Sequence, residues 1–275
     1  MAISAARSAS IGSFAARAAL AWIRRDPRAA ELQRTNFHGR AVSLAGGPAL
    51  AVGATVGAAL GARGAATTAA AITVGAVSGA VGFYDDLVGD RPEQKAAKGF
   101  AGHLGALREG RVTSGLVKIA GVGGAALAAS ALLSRDRPRG GVIDLLLGAG
   151  VIAGTANLLN LLDLRPGRAV KAGALSGAPL ATGRRGAVAA GALGAAGALI
   201  RADLNEEIML GDAGANAFGA LLGLALAART GPAGRAIAFT VLAGLTVASE
   251  KISFTKVIAD TPWLRRADEL GRRPA

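Results

Sequence analysis

Between Ala41 and Tyr84 the chain carries one charged residue, Arg63. It separates two uncharged runs, residues 41–62 and 64–84, of 22 and 21 residues. A helix needs about 20 apolar residues to cross a bilayer, so both are long enough. A third stretch, 142–162, is interrupted only by Asp144. None of these runs alternates apolar and polar residues as a barrel strand does. In lipid every backbone N–H and C=O needs an internal partner, which leaves the helix as the only spanning structure. The small residues fit this reading: 41 glycines and 4% aromatics in a chain with 52% hydrophobic residues let helices approach closely.

Charge and composition exclude several alternatives. The absence of cysteine rules out disulfides and thiolate metal sites. A net charge of +13 could signal nucleic acid. Here, however, the basic residues sit in short segments between apolar runs, as in loops facing anionic lipid, so no nucleic-acid partner is expected. Arg7 and Arg17 interrupt the N-terminal apolar stretch, which therefore reads as a weak first span rather than a cleavable signal.

The expected fold is all-α: one polytopic membrane domain over residues 1–275. Its spans are placed at 3–23, 41–62, 64–84, 116–134, 142–162, 168–183, 186–200, 213–229 and 233–250. An amphipathic tail at 251–275 follows. Several spans are short, but flanking Arg and Lys can snorkel to the interface. Alternating the loops puts 21 Lys and Arg on one face and 8 on the other, which assigns the richer face to the cytoplasm. All of the 18 Asp and Glu residues except Asp136 and Asp144 fall on that same face. Acidic residues contribute little to topology, so a site is the natural reason for their gathering. The parity depends on 168–183, where Pro179 makes a clean helix harder to form.

Three apolar runs end in carboxylates on that face. One ends in "YDD" with Asp85 and Asp86, and another in "NLLNLLD", where Asn157, Asn160 and Asp163 recur every three residues on one helix face. A third run is preceded by "MLGDAGANAFG", with Asp212 at a helix start. Converging carboxylates raise one another's pKa unless a cation holds them. With only two histidines and no cysteine, zinc fits poorly, and Mg²⁺ with water and phosphate fits better. Lys95, Lys98, His103, Arg108 and Arg111 lie in the same loops, and Mg²⁺ with basic residues suits a transferring phosphoryl group. Each motif alone has a plainer reading: a solvated helix cap, an interhelical asparagine contact, a glycine turn.

Taken in order, "RTNFHGRAVSLAGG", "GFYDDLVGD", "KGFAGHLGAL", "NLLNLLD" and "MLGDAGANAFGALLG" resemble the polyprenyl-phosphate N-acetylhexosamine-1-phosphate transferases (glycosyltransferase family 4) over roughly residues 30 to 257. That family includes the phospho-N-acetylmuramoyl-pentapeptide transferase of peptidoglycan synthesis. The resemblance implies a Mg²⁺-dependent enzyme of the bacterial plasma membrane that moves a phospho-sugar from a UDP-sugar onto undecaprenyl phosphate and releases UMP. It also allows a homodimer. Carried over by position, Asp85 and Asp86 match the acidic pair that engages the lipid phosphate, and Lys98 matches a phosphate-contacting lysine. His103 lies beside it as a substrate-binding candidate. Asn157, Asn160 and Asp163 match the helix end near the nucleotide, with Asp163 a catalytic candidate, and Asp212 matches the metal ligand.

The chain departs from the family at three points. Pro166 stands where a second Asp is usual, the late His-rich loop is absent, and no final span follows Glu250. These departures keep a second reading open: an accessory paralogue that binds lipid carrier or UDP-sugar without turnover. A third reading, a cation-coupled transporter, calls for polar groups near mid-span, and here the charges lie at helix ends. In the tail, "WLRRADEL" sets Trp263, Leu264, Ala267 and Leu270 on one stripe of a helix following a break at Pro262. This predicts a surface helix that is either an anchor held by its basic residues and Trp263 or a flap folded over the site, with Arg265 or Arg266 offered to the donor's diphosphate.

Overall fold

A computed structural model describes residues 3–89, 91, 99–135 and 141–273, with side chains at 99–101, 103 and 104 outside the description. The molecule is mostly helical, and among the described residues six helices are long and apolar enough to cross a membrane. Helix α1 (Ala5–Arg25) starts where the Ser4 hydroxyl accepts from Arg7 N at 3.2 Å. Asp26 then opens a 3₁₀ turn, Pro27–Leu32. A two-stranded antiparallel hairpin follows, β1 (Gln33–Thr35) with β2 (Ala41–Ser43). Helices α2 (Gly46–Gly61) and α3 (Ala65–Val88) come next, then the short α4 (Gly99–Arg108), α5 (Ser114–Arg135) and α6 (Val142–Leu162). The remaining elements are α7 (Arg168–Gly177), α8 (Ala187–Leu204), α9 (Gly211–Arg229), α10 (Pro232–Ser249), and the tail helices α11 (Phe254–Asp260) and α12 (Pro262–Glu269).

The bundle is organised around α9, which packs against α2, α3 and α6 and is buried on nearly every side. Its Ala, Gly and Leu composition has no polar face because none of its faces meets water. On one flank α1, α2 and α8 form a tight trio. They meet at Gly12, Gly57 and Gly191, where backbones approach so closely that a Cβ on Gly57 would lie 2.8 Å from Gly12 Cα and 2.9 Å from Gly191 Cα. On the other flank α10 packs chiefly against α6 and leaves Ile237, Phe239, Val241 and Val247 exposed. In water such a surface would aggregate, whereas in a bilayer it meets hydrocarbon.

The structure differs from the sequence expectation in three elements. The span placed at 41–62 begins with strand β2, so its helix has only 16 residues, about 24 Å at 1.5 Å per residue. The segment placed at 168–183 is helical only to Gly177, and Pro179 opens a 3₁₀ turn to Ala181. This broken segment still runs the length of α9. Gly173 lies against Phe218 and Gly177 against Leu222, and the carbonyls of Leu180 and Thr182 accept from Arg229 Nη1 at 2.8 and 2.7 Å. Asp163 and Asp212 therefore sit at the same end. Finally, α8 extends to Leu204, which brings Asp203 onto a helix instead of a loop.

Candidate functional site

Four of the carboxylates singled out in the sequence come together at one end of the bundle. The last turn of α3 presents Asp85 and Asp86, the first turn of α9 presents Asp212, and Asp163 caps the C-terminus of α6. The α3–α9 crossing is close because residue 82 is glycine. A Cβ there would collide with the backbone of Asp212 and Ala213.

The two members of the acidic pair do different work. Asp86 is turned toward α9, where its Oδ1 accepts from Asp212 N at 2.8 Å and its Oδ2 from Ala213 N at 3.0 Å. The first amides of a helix have no intrahelical acceptor, and Asp86 supplies one from another helix while facing the positive end of the α9 dipole. Asp85 instead meets Lys118, whose Nζ lies 2.7 Å from its Oδ2 and also contacts Asp212 Oδ2. Lys118 is thus a positive wedge between two carboxylates. The sequence alone did not single it out. The signal was there: a lone lysine one turn inside the apolar helix "SGLVKIAG" has to find a partner.

Asp163 is half-buried. Burial, followed by the charges of Asp203, Asp212 and Asp86, holds its carboxyl well above the usual carboxylate range. Asp203, not singled out from sequence, accepts from Gly167 N at 2.8 Å and fixes the turn leaving α6. Its neighbour Glu206 is clasped by the 33–44 loop. Asn36 Nδ2 donates to it, His38 Nδ1 lies at 2.9 Å and Arg40 Nη1 at 3.0 Å. Burial alone would raise the Glu206 carboxyl, but these three partners bring it below the ordinary value. Arg34 Nη2 reaches the carbonyl of Asp86 at 3.3 Å, and Arg165 stacks 3.9 Å over the Phe37 ring. The "RTNFHGR" loop therefore borders the carboxylates.

Other candidates lie elsewhere. Asn157 donates through Nδ2 to Thr246 Oγ1 at 3.0 Å, an α6–α10 packing bond of the plainer kind. Asn160 is half-buried, and its side chain has no hydrogen-bond partner among the described residues. Lys98 and the side chain of His103 lie outside the described residues.

The tail does fold back to this end, although the residue that anchors it is Asp268. Arg168, 6% exposed, grips Asp268 through Nε and Nη2, both at 2.8 Å, and donates through Nη1 to Thr255 at 3.0 Å. Arg272 Nε bonds the carbonyl of Pro166 at 2.8 Å. Burial would push the Asp268 carboxyl up, but Arg168 and Arg272 hold it below its ordinary value. The break falls at Thr261–Pro262 as expected, and Trp263 and Leu270 are exposed on the stripe the sequence outlined. Arg265 and Arg266 are also exposed, and neither forms an ion pair among the described residues.

Chemically, this end offers two carboxylates on one cation, a third carboxyl held protonatable, and a basic border. Among the described residues no three His, Asp or Glu groups converge closely enough to hold a metal on their own. Asp85 and Asp212 do form a two-carboxylate pair, which is the protein share that Mg²⁺ usually takes when phosphate completes its shell. No family model matches this sequence, and no match was found among curated proteins.

Proposed function

We propose that this chain is a membrane phospho-sugar transferase acting on a polyprenyl phosphate carrier in a bacterial plasma membrane. In this reading it makes nine passes, keeps its carboxylate end in the cytoplasm and serves cell-envelope polysaccharide or peptidoglycan synthesis. The observation that carries the proposal is the convergence of Asp85, Asp86, Asp163 and Asp212, with Lys118, at one end of an apolar bundle. Soluble phosphates and the headgroup of a membrane lipid can meet only at such an end.

In the reaction, an oxygen of the lipid phosphate attacks the sugar-bearing phosphorus of the UDP-sugar, the diphosphate P–O bond breaks, and UMP leaves. Asp85 and Asp212 would hold Mg²⁺, which when bound offsets the diphosphate charge. Lys118 adds a positive charge between the same carboxylates. Asp86 keeps Asp212 in place by holding the first turn of α9. Asp163, whose carboxyl burial raises, holds a proton more readily than an ordinary carboxylate, the property required of a general base for the incoming phosphate. Lys98, His103 and Asn160 remain candidates for donor contacts, and Arg34 and Arg165 border the same space.

One observation favours the accessory-binder reading: Lys118 already occupies the place between the two carboxylates and offsets one of their two charges. Purified protein incubated with a panel of UDP-sugars, undecaprenyl phosphate and Mg²⁺ separates the two readings. The transferase releases UMP with at least one donor. Saturable donor binding with no UMP from any donor would leave only the binder.

The orientation has its own test, made simple by the lack of cysteine. Single cysteines at the exposed positions Val112, Leu164 and Asn205 should react with an impermeant maleimide only from the cytoplasmic side. Cysteines at Ala65 and Thr182, exposed at the other end, should react only from outside. If Leu164 and Asn205 label from opposite sides, the carboxylates cannot share a face of the membrane.

A further inference from the structure

The end of the bundle opposite the carboxylates contains a cavity of about 520 Å³. It lies between the α2–α3 turn, the C-terminal ends of α5 and α9, and the start of α8. Asp212 and Ala228 are sixteen residues apart on α9, so the cavity is roughly 24 Å from the carboxylate cluster. Its size is within the range of small-molecule sites.

The lining is of two kinds. Arg63, Arg184 and Arg185 form a basic side, and Leu133, Val188 and Leu224 form an apolar one. No carboxylate lines it among the described residues. The acid described at this end, Asp144, is taken by Arg235, with Arg235 Nη1 at 2.7 Å from its Oδ2. The neighbouring arginines have internal work as well. Arg229 bonds the carbonyls of Leu180 and Thr182, and Arg185 Nη1 bonds Ala228 O at 3.1 Å. Arg63 and Arg184 make no hydrogen bond or ion pair with any described residue, although both line the cavity.

Guanidinium groups without a carboxylate partner among the described residues, placed over apolar side chains where a bundle leaves the hydrocarbon, match a molecule with a phosphate at one end and acyl chains at the other. Arg binds phosphate bidentately through its planar fork. Leu133, Val188 and Leu224 would contact the first carbons of the chains. We infer that this cavity binds the phosphate headgroup of an anionic lipid, with Arg63 and Arg184 as its ligands. The inference does not depend on the proposed reaction at the other end.

Native mass spectrometry of the detergent-purified protein, offered equal amounts of phosphatidylglycerol and phosphatidylcholine with matched chains, provides the test. The wild type should retain phosphatidylglycerol preferentially, by roughly thirtyfold if each arginine contributes as basic residues near anionic headgroups do. Arg63→Gln with Arg184→Gln should abolish the preference, and because neither side chain has a partner among the described residues, helicity should be unchanged. Thr67→Trp, which fills the cavity without altering charge, should do the same. The paired control Arg108→Gln with Arg201→Gln removes equal charge from the other end and should keep the preference. An unchanged preference in the double variant, or none in the wild type, overturns the inference. If millimolar inorganic phosphate displaces the lipid and binds as tightly alone, the site takes a soluble anion and the lipid assignment fails.

Discussion

Asp212→Asn should abolish UMP release while leaving the protein in the membrane at wild-type yield. The prediction follows from how the residue divides its work. Its backbone holds the helix start: the N–H donates to Asp86 at 2.8 Å and the carbonyl accepts from Asn216 Nδ2 at 2.7 Å. Its carboxylate does something separate, facing Lys118 together with Asp85. Asparagine keeps the shape and the backbone bonds but removes the charge that would hold Mg²⁺ and balance Lys118. A loss of at least about a hundredfold is expected, the scale on which one preorganised electrostatic contact acts in a site. Asp86→Asn is the informative companion. It puts an amide N–H₂ against one of the first N–H groups of α9 and leaves that donor unpaired, at a cost of about 1–3 kcal/mol, so both stability and activity should fall. UMP release and thermal unfolding measured side by side distinguish the two variants. Mg²⁺-dependent turnover at the wild-type rate in Asp212→Asn would remove Asp212 from the site.

Arg235→Leu should be strongly destabilising, although it lies far from the carboxylate cluster. Arg235 is 2% exposed. Its Nε and Nη2 bond the carbonyl of Ala227 at 3.0 and 2.8 Å, and its Nη1 holds Asp144. The other carboxylate oxygen, Asp144 Oδ1, is buried and already has no hydrogen-bond partner. Removing the guanidinium leaves a charge buried between α6 and α10 and frees the Ala227 carbonyl. Breaking a buried pair from one side costs roughly 3–5 kcal/mol, whereas replacing both partners with apolar groups is often close to neutral. Arg235→Leu should therefore lower the melting temperature in detergent sharply, and Asp144→Leu added to it should recover most of the loss. Melting of the single variant at the wild-type temperature would mean that the pair is not formed in the folded protein.

The parts of this molecule that one strand of sequence dictates were legible in it. Runs of 20 or more uncharged residues have few alternatives in lipid, and the helices Ala65–Val88 and Val142–Leu162 follow them closely. The gathering of Asp85, Asp163 and Asp212 at one end could also be read, because a helix reverses direction with each pass and parity carries the side along. Parity could not show what each side chain touches. Asp85 and Asp86 are adjacent and chemically identical, yet one turns to a lysine and the other caps a helix 126 residues away. Asn157 and Asn160 share a helix face in sequence, but Asn157 bonds a threonine that only the packing of α10 brings near. Similarly, the tail's periodicity outlined α12 but gave no hint that Asp268, on its charged side, would be the residue gripped by Arg168.

The contact of α1, α2 and α8 through Gly12, Gly57 and Gly191 has a consequence for how this bundle can move. Where backbone meets backbone there are no side chains to change rotamer, so the three helices cannot slide or rotate without opening a gap. That flank behaves as one stiff plate. Helix α10 is the opposite case: it is exposed over most of its surface and is joined to α6 through side chains, by Arg235–Asp144, by Thr246–Asn157 and by Phe239 and Leu242 over Gly150 and Gly154. Any breathing of the bundle therefore falls to α10, whose side-chain contacts can change rotamer while the glycine plate stays still.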